Sequence, residues 1–175
     1  MSPTSGKSEG DEVARARATA LDLLARRART RRGLAGRLQR RGFDAETVEQ
    51  VVGEMQAAGY LDDERFAEGW IENRLRLRPS SRRTLAAELV REGIGPEAAR
   101  QVSGRLVSGD VEREAALAAA SRRWPALSGL PPQEASRKLA AHLQRRGFTW
   151  DVIREALRRV AEQDPGEDPQ GPGRS

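Results

Sequence analysis

The sequence predicts an all-α protein in which three tandem three-helix repeats form an elongated, curved helical array. Ala, Leu, Arg and Glu dominate its central part, and β-branched or aromatic runs long enough for a strand are missing. Glycines recur at the ends of segments that have helical apolar periodicity. Of the 175 residues, 33% are charged and only 4% aromatic, so we expect a thin core and an elongated shape.

Start and stop signals divide residues 12–162 into nine predicted helices. A glycine after an apolar-periodic segment ends a helix, and a Ser, Thr or Asp before a segment caps its first turn. The stop signals are Gly42, Gly59, Gly93 and Gly147, and the start signals are Thr30, Asp44, Asp62 or Asp63, Asp110 and Thr149, with Pro96 and Pro132 in first turns. The predicted helices cover residues 12–28, 31–41, 44–58, 63–77, 81–92, 96–107, 110–123, 132–146 and 149–162.

An internal repeat groups these helices in threes. One pattern occurs three times: Leu, a second Leu four positions later, Gly four after that, and then a bulky apolar residue. The three copies are Leu34-Leu38-Gly42-Phe43, Leu85-Leu89-Gly93-Ile94 and Leu139-Leu143-Gly147-Phe148. The predicted repeats span residues 12–60, 61–108 and 109–163, between disordered tails at residues 1–11 and 164–175.

Four aromatic residues occupy repeated positions, and we expect them to fill equivalent holes in the core. They are Phe43, Phe148, Trp70 and Trp124. The alternative role, stacking on nucleic-acid bases, requires exposed rings.

Charge is segregated along the chain although the net charge is only +5. Residues 15–42 hold ten Arg and one Asp, whereas residues 44–72 hold nine acids and Arg65. The arginines predicted to contact a partner are Arg31, Arg32, Arg37, Arg40, Arg41, Arg82, Arg83, Arg145 and Arg146. Phosphates and an acidic protein groove both fit guanidinium groups, and a solvated face without a partner is the third interpretation.

Catalytic chemistry finds little support. The chain has no Cys and no phosphate-binding Gly-rich loop, and its one histidine, His142, is predicted to lie at the surface. The acids Asp62, Asp63 and Glu64 precede an apolar helix, so we expect them to cap it rather than to hold a metal. We therefore predict no enzyme, no cofactor, no metal and no membrane partner, and a monomeric cytoplasmic protein.

The motif Gly59-Tyr60-Leu61-Asp62-Asp63-Glu64-Arg65-Phe66-Ala67 resembles the bacterial RecX family. The segments Leu38-Gln-Arg-Arg-Gly42-Phe43 and Gln144-Arg-Arg-Gly147-Phe148 are also similar to it, and the resemblance covers about residues 12–160. The family usually has a Gly-Pro-type turn and a basic residue in the middle repeat, where this chain has Pro79-Ser80-Ser81 and Glu92. In the motif, Gly59, Tyr60, Leu61, Asp62, Asp63 and Phe66 are expected to be mainly structural.

The resemblance implies a regulatory protein that binds the RecA recombinase filament on single-stranded DNA. It would limit filament extension, strand exchange, ATP hydrolysis and coprotease activity. Direct contact with single- or double-stranded DNA stays open. Two other interpretations also remain from the residues alone: a stand-alone basic DNA-binding helical module, and a metal-dependent enzyme that uses Asp62 and Asp63.

Overall fold

A computed structural model describes residues 5–163, and the side chains within residues 10–162. Over that range the chain forms nine α-helices and no strand, which confirms the all-α prediction. The helices are α1 Ser5–Arg26, α2 Arg31–Gln39, α3 Ala45–Ala57, α4 Asp63–Leu77, α5 Arg82–Glu92, α6 Pro96–Leu106, α7 Gly109–Arg123, α8 Pro132–Arg145 and α9 Trp150–Gln163. A short 3₁₀ turn, Trp124–Ala126, follows α7.

The observed helix ends lie within two residues of the predicted ones, with one exception. Helix α1 begins at Ser5, so residues 5–11, which were predicted to belong to a disordered tail, are helical. Once a helix is nucleated, each further residue adds a hydrogen bond at low cost, so the amphipathic part of α1 can extend into a polar segment. The remaining tail residues, 1–4 and 164–175, lie outside the described range.

The predicted stop signals are confirmed, and most of the start signals are too. Gly42, Gly59, Gly93 and Gly147 all have positive φ, as a C-terminal glycine requires. Thr30 and Asp44 cap α2 and α3 by accepting the backbone N–H groups of Gly33 and Thr47, and Asp62 accepts that of Arg65 in α4. Asp110 was wrong as the cap of α7: the Ser108 hydroxyl accepts the Val111 N–H, so the helix begins earlier and Asp110 lies in its first turn.

The described residues fall into two units. Unit 1 lies within Met1–Ile71 and Ala86–Val102, and unit 2 within Glu72–Leu85 and Ser103–Ser175. The division passes through α4, α5 and α6, the three helices of the predicted middle repeat.

Each unit has its own apolar core. In unit 1, Leu34 and Leu38 of α2 are fully buried among residues of α1 and α3. In unit 2, Leu139 and Leu143 of α8 are fully buried against α7 and α9, where alanines of α7 allow close helix packing. The Leu pair at i and i+4 therefore forms the inner face of α2 and of α8, as the repeat predicted.

The repeated aromatic residues differ in burial. Phe148 is buried in the unit 2 core, whereas Phe43 and Trp124 are half-buried and pack against the edges of the cores of units 1 and 2 respectively. Trp70 is also half-buried. The prediction that these rings fill fully enclosed core holes is therefore right for Phe148 only, because cores lined by small Ala and Val residues leave the larger rings at their margins.

Polar contacts join helix ends that are far apart in sequence. In unit 1, the Thr30 hydroxyl at the start of α2 donates to the Glu92 carbonyl at the end of α5, at 2.6 Å. The next backbone N–H, that of Arg31, donates to the Asp63 carboxylate in the first turn of α4, at 2.8 Å. We call this set of contacts the unit 1 junction.

Unit 2 contains an equivalent arrangement. The Thr84 hydroxyl in α5 donates to the Arg146 carbonyl at the end of α8, at 3.1 Å, and the Ser81 N–H donates to the same carbonyl, at 3.0 Å. The Arg82 N–H donates to the Glu112 carboxylate in the first turn of α7, at 2.9 Å. We call this set the unit 2 junction.

Candidate partner-binding surface

The largest group of arginines in unit 1 surrounds the connection between α1 and α2. Arg29 is half-buried, and its guanidinium donates to the Leu23 carbonyl at 3.3 Å. Burial lowers the pKa of Arg29, and the positive charges of Arg37, Arg27 and Arg41 lower it further. These four side chains are therefore close together, and we call them the α1–α2 arginine cluster.

No carboxylate among the described residues neutralises this cluster. Arg27, Arg37 and Arg41 are exposed, and none of them has an ion-pair partner in the part of the chain that the structure describes. Elsewhere in unit 1 exposed arginines do have partners: Arg26 pairs with Asp22 and Arg100 with Glu97. The unpaired cations of the cluster give this surface a positive potential that favours an anionic partner.

Three further predicted arginines of unit 1 flank this surface. Arg31, Arg32 and Arg40 are all exposed, and the guanidinium of Arg40 folds back over Gly36 in the preceding turn. Arg31 and Arg32 also line an open groove of about 640 Å³ between α2 and α3. The apolar part of its lining is Ala35, Ala45, Val48 and Val52.

The other predicted arginines lie in unit 2. Arg82, Arg83 and Arg145 are exposed, as expected of residues that contact a partner. Arg146 is half-buried, and its guanidinium donates to the Pro79 carbonyl at 2.9 Å. The predicted contact residue Arg146 therefore has a structural role inside unit 2, because both its side chain and its carbonyl are engaged there.

The Gly59–Ala67 motif forms the turn between α3 and α4. Leu61 is buried, Phe66 is half-buried and Tyr60 is 60% exposed. Asp62 caps α4, whereas Asp63 is the acid of the unit 1 junction. Both carboxylates thus accept backbone N–H groups at helix starts, the arrangement that a helix dipole favours.

A second group of positive charges surrounds His142 in unit 2, and sequence reasoning identified only part of it. His142 is half-buried rather than at the surface, and burial lowers its pKa. The charges of Arg146, Arg123, Arg145 and Arg78 lower that pKa further. Arg78 and Arg123 come from segments distant in sequence, so periodicity gave no signal for them.

Metal and membrane chemistry receive no support from the geometry. Within residues 10–162, no three His, Asp or Glu side chains are grouped so that they could hold a metal ion. None of the helices in the described range is both long enough and apolar enough to cross a membrane.

Comparison with known proteins identifies all three repeats. Models of the first, second and third three-helix domains of RecX match residues 16–55, 62–102 and 110–157. The predicted organisation into three tandem three-helix repeats is thereby confirmed.

Relatives and solved structures agree with the family models. The regulatory protein RecX of Amycolatopsis mediterranei is 38% identical over 148 residues, which are 82% of this chain and 84% of the relative. That of Mycobacterium tuberculosis is 37% identical over 158 residues, 89% of this chain and 90% of the relative. The crystal structure of RecX from Lactobacillus salivarius shares the fold with a TM-score of 0.75 at 16% identity, over 87% of this chain and 99% of that one. The chain therefore belongs to the RecX family of regulatory proteins.

Proposed function

We propose that this protein binds the RecA recombinase and its nucleoprotein filament on single-stranded DNA, and that it inhibits filament extension. Strand exchange, ATP hydrolysis and coprotease activity of the recombinase would fall with it, so that the protein modulates DNA repair and recombination in the cytoplasm. Membership of the RecX family supports this proposal. The mechanism requires occupation of a surface and no bond-making residue.

The α1–α2 arginine cluster is the observation that carries the proposal to particular residues. Arg27, Arg29, Arg37 and Arg41 are close enough to depress the pKa of Arg29, and the described part of the chain supplies no acid to pair with them. Clustered cations of this kind accelerate association with an acidic partner and strengthen it electrostatically. A filament groove presents both acidic protein surface and DNA phosphates, and guanidinium groups bind either.

Paired and unpaired arginines of unit 1 provide a matched test. Arg37→Gln with Arg41→Gln removes two charges of the cluster, whereas Arg26→Gln with Arg100→Gln removes two exposed arginines that already pair with acids. The readout is recombinase ATPase activity on single-stranded DNA, titrated with substoichiometric amounts of each variant. We expect the concentration for half-inhibition to rise about tenfold for the cluster variant, because interfacial charges contribute mainly when a partner neutralises them.

The control variant should change half-inhibition by less than about twofold, because exposed ion pairs contribute little. Equal inhibition by both variants, with helicity unchanged, would remove the cluster from the proposed interface. No inhibition by the wild-type protein would overturn the proposed function itself.

The rival function, a stand-alone DNA-binding module, predicts a different salt series. Binding to bare single-stranded DNA and to the recombinase filament is measured from low to moderate salt concentration. If affinity for both is equal and falls in parallel with salt, phosphate contacts alone account for binding and the filament is not the target. A higher affinity for the filament at every salt concentration supports the proposal.

A further inference from the structure

The surroundings of His142 in unit 2 are built from three separate segments of the chain. His142 and Arg145 lie on α8, Arg123 ends α7, and Arg78 follows α4. Their charges act together on the pKa of His142, so the groups are neighbours in space. The residues that form this surface are not explained by the proposed function, which rests on unit 1.

Hydrogen bonds hold these segments together. The Arg122 guanidinium donates to the Arg76 and Leu77 carbonyls, at 2.8 and 3.2 Å, at the end of α4. The Arg146 guanidinium donates to the Pro79 carbonyl at 2.9 Å. The segment 76–79 is thus fixed against the C-terminal ends of both α7 and α8.

This fixation uses two of the guanidinium groups and leaves three others available. Arg78, Arg123 and Arg145 are exposed, and no acid in the described range forms an ion pair with them. In α9 of the same unit, by contrast, Arg154 pairs with Asp151, and Arg158 and Arg159 pair with Glu162 and Glu155. The three free cations therefore form a preorganised anion-binding surface whose frame is already hydrogen-bonded.

An exposed tryptophan lies just beyond the end of α8. Trp150 is 56% exposed at the start of α9, four residues after Arg146, whereas the intervening Phe148 is buried in the core. Exposing a large aromatic ring to water is unfavourable unless a partner covers it. A positively charged surface with an accessible ring is typical of sites where bases stack and phosphates are neutralised.

We propose that unit 2 binds single-stranded nucleic acid directly, with Arg78, Arg123 and Arg145 contacting phosphates and Trp150 stacking on a base. Guanidinium groups bind phosphate oxygens in pairs, and an indole ring stacks on any base, so the contact requires no particular sequence. An acidic protein surface would satisfy the arginines but would offer no planar partner for Trp150. The interaction does not depend on the recombinase, so it adds to the proposed function.

The test uses the full chain, without recombinase, and a fluorescently labelled oligodeoxythymidine of about 16 nucleotides. Arg123→Gln with Arg145→Gln removes two of the free cations. Arg154→Gln with Arg158→Gln is the matched control, because it removes the same charge from paired arginines of the same unit. Fluorescence anisotropy gives the Kd of each variant over a salt series.

We expect the first pair of substitutions to raise the Kd about tenfold at low salt. It should also reduce the slope of log K against log salt by about 1.4, since each lost phosphate contact on a single strand contributes about 0.7. The control pair should leave the slope unchanged. If the two pairs of substitutions have equal effects, only net charge matters and the proposed site is wrong.

Trp150→Leu tests the stacking contact while it keeps an apolar side chain at the first position of α9. Loss of one stacked base should raise the Kd about tenfold without changing the salt slope. An unchanged Kd, or equally tight binding of a DNA duplex, would overturn the single-strand assignment. Far-ultraviolet circular dichroism verifies that each variant is folded. Because no recombinase is present, failure here leaves the proposed RecA inhibition intact, and failure of that inhibition leaves this site intact.

Discussion

Alanine at Gly147 is expected to destabilise the protein far more than alanine at Gly42. The two glycines have nearly equal positive φ values, 84° and 91°, and both follow the Leu pair of a repeat. Their surroundings differ. A Cβ at Gly42 would meet nothing within 4 Å, whereas a Cβ at Gly147 would lie 2.1 Å from the Thr84 hydroxyl oxygen and 2.6 Å from that of Ser81.

The expected magnitudes follow from these contacts. Alanine in a left-handed conformation costs about 1–2 kcal/mol at either position. At Gly147 the methyl group must also displace two hydroxyls of the unit 2 junction. The hydrogen bond from Thr84 to the Arg146 carbonyl contributes about 1 kcal/mol, and the Ser81 side chain, which accepts the Thr84 N–H at 3.2 Å, contributes about 1 kcal/mol as a cap. We therefore expect Gly147→Ala to cost about 3–4 kcal/mol, roughly 2 kcal/mol more than Gly42→Ala.

Urea unfolding followed by circular dichroism measures the difference. Gly59→Ala is a second control, because Gly59 also has a positive φ, 77°, and open space beyond its Cα atom. The midpoints are compared at a common m value, which verifies that the denatured state is unchanged. In a Ser81→Ala, Thr84→Ala background the extra cost of Gly147→Ala should disappear, because the two hydroxyl oxygens are gone.

The reasoning is refuted if Gly147→Ala and Gly42→Ala differ by less than about 0.5 kcal/mol, which is the usual error of additivity. It is also refuted if the extra cost at Gly147 persists after both hydroxyls are removed. The first outcome would mean that the junction adapts without cost, and the second that its strain lies in the backbone.

Two further predictions concern buried polar groups of unit 2. The Ser103 hydroxyl is fully buried and has no hydrogen-bond partner among the described residues, so Ser103→Ala should raise the free energy of unfolding by about 1 kcal/mol in urea titrations, and a loss of stability would show that the hydroxyl is satisfied. Burial and the charges of Arg146, Arg123 and Arg145 hold the pKa of His142 below its ordinary value of 6.5, so the unfolded chain takes up this proton first as the pH falls. Stability should therefore decrease as the pH falls through 6.5 and continue to decrease until His142 is protonated in the folded state. His142→Gln should remove that decrease, and a pH profile that is the same in both proteins would contradict the shift.

The sequence determined the local features because each depends on residues close together in the chain. A Leu pair at i and i+4 defines a helix face, and a following Gly such as Gly42 ends the helix within the next turn. These signals are sufficient to place nearly all helix ends to within two residues. The same reasoning failed at the start of α1, where the chain offers no local signal to begin a helix at Ser5.

The candidate surfaces were less predictable because their neighbours are distant in sequence. Arg145 and Arg146 are adjacent on α8, yet one is exposed and the other donates to the Pro79 carbonyl, 67 residues away. Arg78 and Arg123 contribute to the surroundings of His142 only because of how unit 2 folds. Charge counts along the chain identify basic helices, but they do not show which guanidinium groups are used to hold the fold together.

The two junctions show what the repeated pattern encodes beyond each core. The bond from Thr30 to the Glu92 carbonyl and the bond from Thr84 to the Arg146 carbonyl both span 62 residues, so equivalent positions of successive repeats make the same contact. In each case a glycine follows the carbonyl or lies next to it, and in each case a Cβ on that glycine would come within 3 Å of the donor hydroxyl. Gly93 and Gly147 therefore serve two purposes: they end a helix, and they let the start of another helix approach closely. Since Gly42 and Gly59 serve only the first purpose, the glycine pattern that marks helix ends in the sequence also records, at two of its four positions, where helices from different repeats meet.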